Sequence, residues 1–233
     1  MIRVGCATWA IAAEHQGRLP PGRSNLERVA KRLPAAEVNS SFHRSHRPST
    51  WERWAASTGP SFRFAVKLPK AITHELRLRE ADAAVAKFLD EIAPLGEKLG
   101  PLLVQLPPSF AFERTVVDAF LARLEAHTVV CEPRHASWFE DGVDDFLYER
   151  RVARVAADPA VVPRAADPGG WDGIRYFRLH GSPVTYRSSY SQEYLDALAA
   201  KLAGGDWCIF DNTASGAALG NALDLVERLR SQR

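Results

Sequence analysis

Val129-Val130-Cys131-Glu132-Pro133-Arg134-His135-Ala136-Ser137-Trp138 opens as an apolar run and closes on an acid, a guanidinium and an imidazole. A short run of β-branched residues bounded by proline reads as a strand buried on both faces, as in a parallel sheet. Such a strand has no packing use for Glu132, Arg134 and His135 at its end. The segment therefore reads as a strand that delivers polar groups to a site, and the rest of the chain can be tested for convergence on it.

Working outward, similar runs recur at Ile2–Cys6, Ala36–Asn39, Phe62–Lys67, Leu102–Leu106, Thr128–Glu132, Val152–Ala157, Ile174–His180 and Trp207–Asp211. Amphipathic segments lie between them: 25–33, 48–57, 81–96, 114–125, 142–150, 191–203 and 217–229. In these, apolar residues such as Val116, Phe120 and Leu124 recur at helical spacing. Strands alternating with helices predict parallel pairing through right-handed crossovers. An open doubly wound sheet would normally carry a glycine-rich loop after its first strand, whereas Gly5-Cys6-Ala7-Thr8-Trp9 has one glycine. The expectation is an α/β fold: a single (β/α)8 TIM-barrel-like domain over residues 1–233. Its sixth crossover is irregular, because Pro159, Pro163, Pro168 and Gly169-Gly170 leave no room for a regular helix.

Composition narrows the function classes. A net charge of +2 on 233 residues sets up no global field for DNA or an anionic membrane. No apolar run approaches the ~20 residues of a membrane span. Cys6, Cys131 and Cys208 are odd in number and sit inside apolar runs, which suits buried thiols in a reducing cytoplasm. No apolar stripe marks a dimer surface, so a soluble cytoplasmic monomer is expected.

In a parallel barrel, side chains alternate between interior and helix layer, and sites form at the C-terminal strand ends. Glu37 with Asn39, Glu132 with Arg134, and Arg178 with His180 are pairs two apart on one face of their strands. Lys67, Gln105 and Asn212 end three further strands, and Asp158 ends the sixth. The opposite strand ends are mostly apolar (Val4, Val129, Ile209), so the polar set reads as one convergent site. Within it, His135 falls on the other parity and is expected to brace the loop beside Trp138.

Several blocks resemble one family. Glu37-Val38-Asn39-Ser40-Ser41-Phe42-His43-Arg44, Phe64-Ala65-Val66-Lys67 with Thr73-His74, and Gly100-Pro101-Leu102-Leu103-Val104-Gln105-Leu106-Pro107-Pro108 are similar to signatures of the YecE-like family, domain-of-unknown-function family 72. Glu132-Pro133-Arg134-His135-Ala136-Ser137-Trp138, Tyr176–Gly181 and Phe210-Asp211-Asn212-Thr213 continue the resemblance in order. It implies a TIM-barrel-like fold and supplies no reaction. Two departures stand out: Ala7-Thr8-Trp9 replaces S-G-W, and Asp211 replaces the commoner first Asn of F-N-N-T.

The set suggests acid/base chemistry on a small anion. Lys67, Arg134 and Arg178, with His74, His135 and His180, outnumber Glu37, Glu132 and Asp158, and a surplus of donors suits a phosphate or carboxylate ligand. Glu132 and His180 are the candidates for proton transfer, Lys67 and Arg178 for stabilising developing negative charge, and Glu37 completes the catalytic set. Arg134, Arg178, Asn39, Gln105, Asn212 and His74 are candidate ligand contacts. Lys67 could alternatively form a Schiff base.

No cofactor is expected. A divalent metal held by Glu37, Glu132, Asp158, His135 or His180 is the alternative, with metal-dependent hydrolysis or phosphodiester cleavage as its chemistry. Against it, no H-E-x-x-H-type spacing occurs and surplus cations would repel a metal. A non-catalytic ligand-binding barrel is a further alternative. Nucleic-acid binding is disfavoured, because Trp51 and Trp54 sit three apart in a helix, where core packing claims them.

Overall fold

The computed structural model describes residues 1–231. Ten strands and seven helices follow one another in chain order. The strands are β1 (Arg3–Cys6), β2 (Ala35–Val38), β3 (Arg63–Lys67), β4 (Leu99–Gln105), β5 (Val129–Glu132), β6 (Val152–Arg154), β7 (Ala156–Asp158), β8 (Gly169–Gly170), β9 (Tyr176–Leu179) and β10 (Trp207–Phe210). The helices are α1 (Asn25–Ala30), α2 (Pro48–Ala56), α3 (Asp82–Ile92), α4 (Arg114–Leu121), α5 (Val143–Glu149), α6 (Gln192–Lys201) and α7 (Ala217–Ser231). Among the described residues, no helix is long and apolar enough to cross a membrane.

The strands form two sheets, ordered β1-β10-β9-β7 and β2-β3-β4-β5-β6-β8. All pairings are parallel except β6 with β8. This corrects the sequence reading in two respects. The expected sixth strand is divided at Val155: β6 pairs with β5, β7 pairs with β9, and the Val155 amide donates to the Cys131 carbonyl. No ladder joins β1 to β2, so the sheets do not close into one hydrogen-bonded ring. The irregular crossover after β7 holds one short turn, Pro163–Ala166, and the two-residue β8.

Alternation along the strands separates three apolar layers. Outward side chains pack beneath the helices in two clusters, one including Trp51, Phe64, Phe120 and Trp138, the other Phe177, Phe210, Leu195 and Leu223. Inward side chains make a third: Ala7, Ala35, Ala65, Leu103, Val130, Ala153, Val155, Tyr176, Trp207 and Ile209. Four of these are alanines because two large rings share the space, Tyr176 stacking on Trp207 at 5.9 Å between centroids. Small residues opposite large ones keep such an interior filled without strain.

Two glycines mark where the layers press closest. A Cβ at Gly100 would lie 2.6 Å from the Trp207 ring. A Cβ at Gly5 would lie 2.5 Å from the Ala35 carbonyl oxygen, so β1 and β2 approach backbone to backbone although no ladder joins them. Gly5→Ala should therefore destabilise the fold by about 1–3 kcal/mol in urea unfolding, the usual cost of overpacking. Gly17→Ala, at a position with nothing within 4 Å, should change it by less than about 1 kcal/mol.

Candidate functional site

The inward columns of β2, β3, β4, β5 and β9 change from apolar to polar at their C-terminal ends. On β9 the inward residues run Tyr176, Arg178 and then His180. On β2, Ala35 leads to Glu37 and Asn39; on β3, Ala65 to Lys67; on β4, Leu103 to Gln105; on β5, Val130 to Glu132. The packing that orders the interior therefore also aims these groups at one another.

Arg178 lies at the centre and is 1% exposed. Its Nε and Nη2 donate to both Glu37 oxygens at 2.7–3.1 Å, and its Nη1 donates to Glu132 Oε2 at 3.0 Å. Nη2 also lies 2.9 Å from Asp211 Oδ2. The Tyr176 hydroxyl donates to Glu37 Oε2 at 2.8 Å. Burial would lower the Arg178 pKa, yet Asp211, Glu37 and Glu132 hold it well above the ordinary value. Burial and the Glu37 charge push the Tyr176 phenol well up, so it remains a donor.

His180 is fully buried between two acids and a cation. Its Nε2 lies 2.9 Å from Glu132 Oε1 and 2.6 Å from Arg134 Nη2. Its Nδ1 lies 3.1 Å from Asp211 Oδ2, at an angle outside good hydrogen-bond geometry. A proton on Nε2 would be donated to Glu132. Without it, Nε2 accepts from Arg134 and the Nδ1 proton faces Asp211. Arg134 also pairs with Glu132 Oε1, while its own side chain is 15% exposed. Burial would raise the Glu132 carboxyl, but His180, Arg134 and Arg178 hold it well below the usual range. At Asp211 burial likewise acts to raise the carboxyl, and Arg178 and His180 outweigh it and hold the group below its ordinary value.

Lys67 is placed differently. It is 7% exposed, and its Nζ stands 3.9 Å over the Phe42 ring. Among the described residues, Nζ makes no hydrogen bond and no ion pair. Burial and the neighbouring Arg178 lower its pKa to about 8, with Glu37, Glu132 and Asp211 too far engaged elsewhere to restore it.

Glu37, Lys67, Glu132, Arg134, Arg178 and His180 are thus brought together. Asn39 stands at their edge, its Nδ2 3.4 Å from Asp211 Oδ1. Gln105 adjoins Glu132 in register but donates to the Leu106 carbonyl. His74 bonds Thr73 Oγ1 and meets the Phe42 ring edge-on; burial, Lys67 and Lys70 push its imidazole down.

Three expectations are corrected. Arg178 turns its guanidinium to three carboxylates and, through Nη1, to His180 Nε2 at 3.4 Å, which leaves no donor for a ligand. Asn212 instead ties the Ser188 carbonyl and Asn221. The cationic surplus disappears, since Asp211 joins Glu37 and Glu132 against Lys67, Arg134 and Arg178. Asp211 escaped the sequence reading although strand parity points to it: Trp207 and Ile209 are inward, so the next inward residue is Asp211 and not Asn212. Asp158 lies outside the cluster, accepting from the Tyr190 hydroxyl at 2.6 Å. His135 bonds Ser137 and braces the loop before Trp138. Among the described residues, no group of three or more His, Cys, Asp or Glu is arranged to hold a metal ion.

The profile of the family described as "Protein of unknown function DUF72" matches residues 3–233. The chain belongs to the DUF72 family. The UPF0759 protein YecE of Escherichia coli K12 is 30% identical over 172 residues, 71% of this chain. That alignment spans 62% of the E. coli protein's own length. Among solved structures, a DUF72 family protein from Enterococcus faecalis V583 superposes with a TM-score of 0.81 at 21% identity, covering 99% of this chain and 96% of that one. A sugar phosphate isomerase/epimerase from Parabacteroides distasonis ATCC 8503 follows with a TM-score of 0.55 at 10% identity, over 99% and 94%. These structural likenesses concern the fold alone: a mixed α/β arrangement of parallel sheets.

The charge network has a signed pH dependence. Glu132 and Asp211 titrate lower in the folded chain than in the unfolded one, so the folded state binds fewer protons in acid. Their contribution to stability should be complete above about pH 4.5 and drain away as pH falls through the folded values. Lys67 acts on the alkaline side: the folded amine loses its proton near 8 and the unfolded one near 10.5, so stability should rise as pH climbs between the two. At pH 7, Lys67→Met should stabilise the fold by roughly 0.5–2 kcal/mol in thermal or urea unfolding. Glu37→Ala, which removes the two-point partner of Arg178 and the acceptor of the Tyr176 hydroxyl, should cost about 3–5 kcal/mol.

Proposed function

We propose that the chain is a metal-independent acid/base enzyme acting on a small phosphate- or carboxylate-bearing ligand at the C-terminal strand ends. The observation that carries this reading is the unpartnered Lys67 ammonium beside a network in which every carboxylate is already engaged. A buried cation left without a counter-ion is costly, and a ligand anion would relieve that cost. Arg134, the only other cation of the set with an exposed edge, would share the anion.

His180 supplies the proton-transfer element. Its Nε2 lies 2.9 Å from Glu132 Oε1 and its Nδ1 3.1 Å from Asp211 Oδ2, so an imidazolium formed there would have an acid on either side. Glu37 and Arg178 fix the frame in which this happens. For the fold, we take β1 against β2 and the β6–Val155–β7 continuation as the two seams of one barrel-like enclosure. Three buried thiols fit a reducing cytoplasm.

A thermal-shift screen of small phosphates and carboxylates, followed by turnover assays on each hit with and without EDTA, tests the reading. Ligands should raise the melting temperature of the wild type and lose that effect in Lys67→Met and Arg134→Ala. His180→Asn should keep binding and lose turnover at least about 100-fold, as expected for a general acid/base. Binding without any conversion would contradict the enzyme reading, and EDTA-sensitive turnover would contradict the metal-independent one.

A further inference from the structure

Lys67 differs from the other cations of the site in chemistry as well as in pairing. A guanidinium cannot act as a nucleophile at neutral pH, whereas an amine can once it sheds its proton. The Lys67 side chain is more than nine-tenths buried, faces inward on the parity of Ala65, and ends over an aromatic face. The Arg178 guanidinium nearby discourages a second charge. The carboxylates that could have trapped the ammonium are held by Arg178, Arg134 and His180 instead.

We propose that Lys67 is a covalent catalyst whose neutral amine condenses with the carbonyl carbon of a small anionic aldehyde or ketone, Arg134 holding the anionic group. This rests on the small-anion reading above and names its substrate class: an oxo acid or a carbonyl-bearing phosphate. The Lys67 nitrogen forms a bond to the carbonyl carbon as the carbonyl π bond breaks onto oxygen, and one of the two amine protons passes to that oxygen, giving a neutral carbinolamine. The proton that the ammonium had released to solvent is taken up by the hydroxyl, the carbon–oxygen bond breaks and water leaves, so that ammonium and carbonyl become iminium and water with no change in oxidation state. The positive charge is conserved, and the Phe42 face that supports the ammonium supports the iminium that replaces it. An iminium acidifies the neighbouring C–H, the kind of proton a general base removes.

Burial, followed by Arg178, lowers the Lys67 amine to about 8. At pH 7 about a tenth of it would be neutral, against about one part in three thousand for an ordinary lysine.

The test uses the wild-type protein with glyoxylate, an anionic aldehyde, or glycolaldehyde, a neutral one. Sodium cyanoborohydride is added to reduce any imine to a stable amine. Peptide mapping then compares the six lysines, 31, 67, 70, 87, 98 and 201. Oxalate binding, followed by calorimetry, reports on the anion site without a reactive carbonyl. Glyoxylate should label Lys67 at least tenfold faster than any other lysine, and Arg134→Ala should erase its advantage over glycolaldehyde. Labelling of Lys67 no faster than of the exposed lysines would overturn the proposal. If oxalate binds under those conditions, the covalent step alone has failed and the anion reading stands. If glycolaldehyde labels Lys67 selectively while oxalate does not bind and glyoxylate has no advantage, the nucleophile is upheld and the anionic substrate class falls.

Discussion

Everything in the site depends on a guanidinium buried among three carboxylates. Arg178 belongs to β9 in one sheet, and its partners Glu37 and Glu132 belong to β2 and β5 in the other. Asp211, just beyond β10, closes the set. Desolvating these groups is expensive, and the bidentate Glu37 contact and the Tyr176 hydroxyl are what make burial tolerable. Such a network adds little net stability compared with apolar packing. Its value is geometric: it links the two sheets across their interior and permits one relative placement, because any slip would leave a buried charge unpaired.

The same constraint dictates what is left over. Three carboxylates face Arg178, Arg134 and Lys67, a balance of charge that still leaves the partners unequally shared. Arg178 touches all three acids, Arg134 reaches Glu132 and His180, and Lys67 reaches none. The unpaired amine is therefore a consequence of how strongly the central arginine binds. Local instability of this kind is a common mark of functional positions, where a ligand completes what the chain leaves open.

Much of this was legible in the primary structure, because period-two alternation and strand-end polarity are local signals. The pairs Glu37/Asn39, Glu132/Arg134 and Arg178/His180 followed from spacing alone, as did the bracing role of His135. Asp211 was missed because the strand end was placed one residue late, and a slip of one residue exchanges the inward and outward faces. The saturation of Arg178 was not legible, since it depends on distances between strands far apart in sequence: Glu37 and Arg178 are separated by 141 positions. The break at Val155 and the missing β1–β2 ladder also lie beyond composition and period. They are set by which strands pair across the sheets, β6 with β5 and β7 with β9.

Lys67 is a buried amine kept out of the ion network, and an NMR titration of protein carrying isotopically labelled lysine, with Lys67→Arg used to assign the resonance, tests this directly. Lys67 should titrate near 8, apart from the other lysines of the chain. Titration of Lys67 at or above 10.5, the ordinary lysine value, would contradict it.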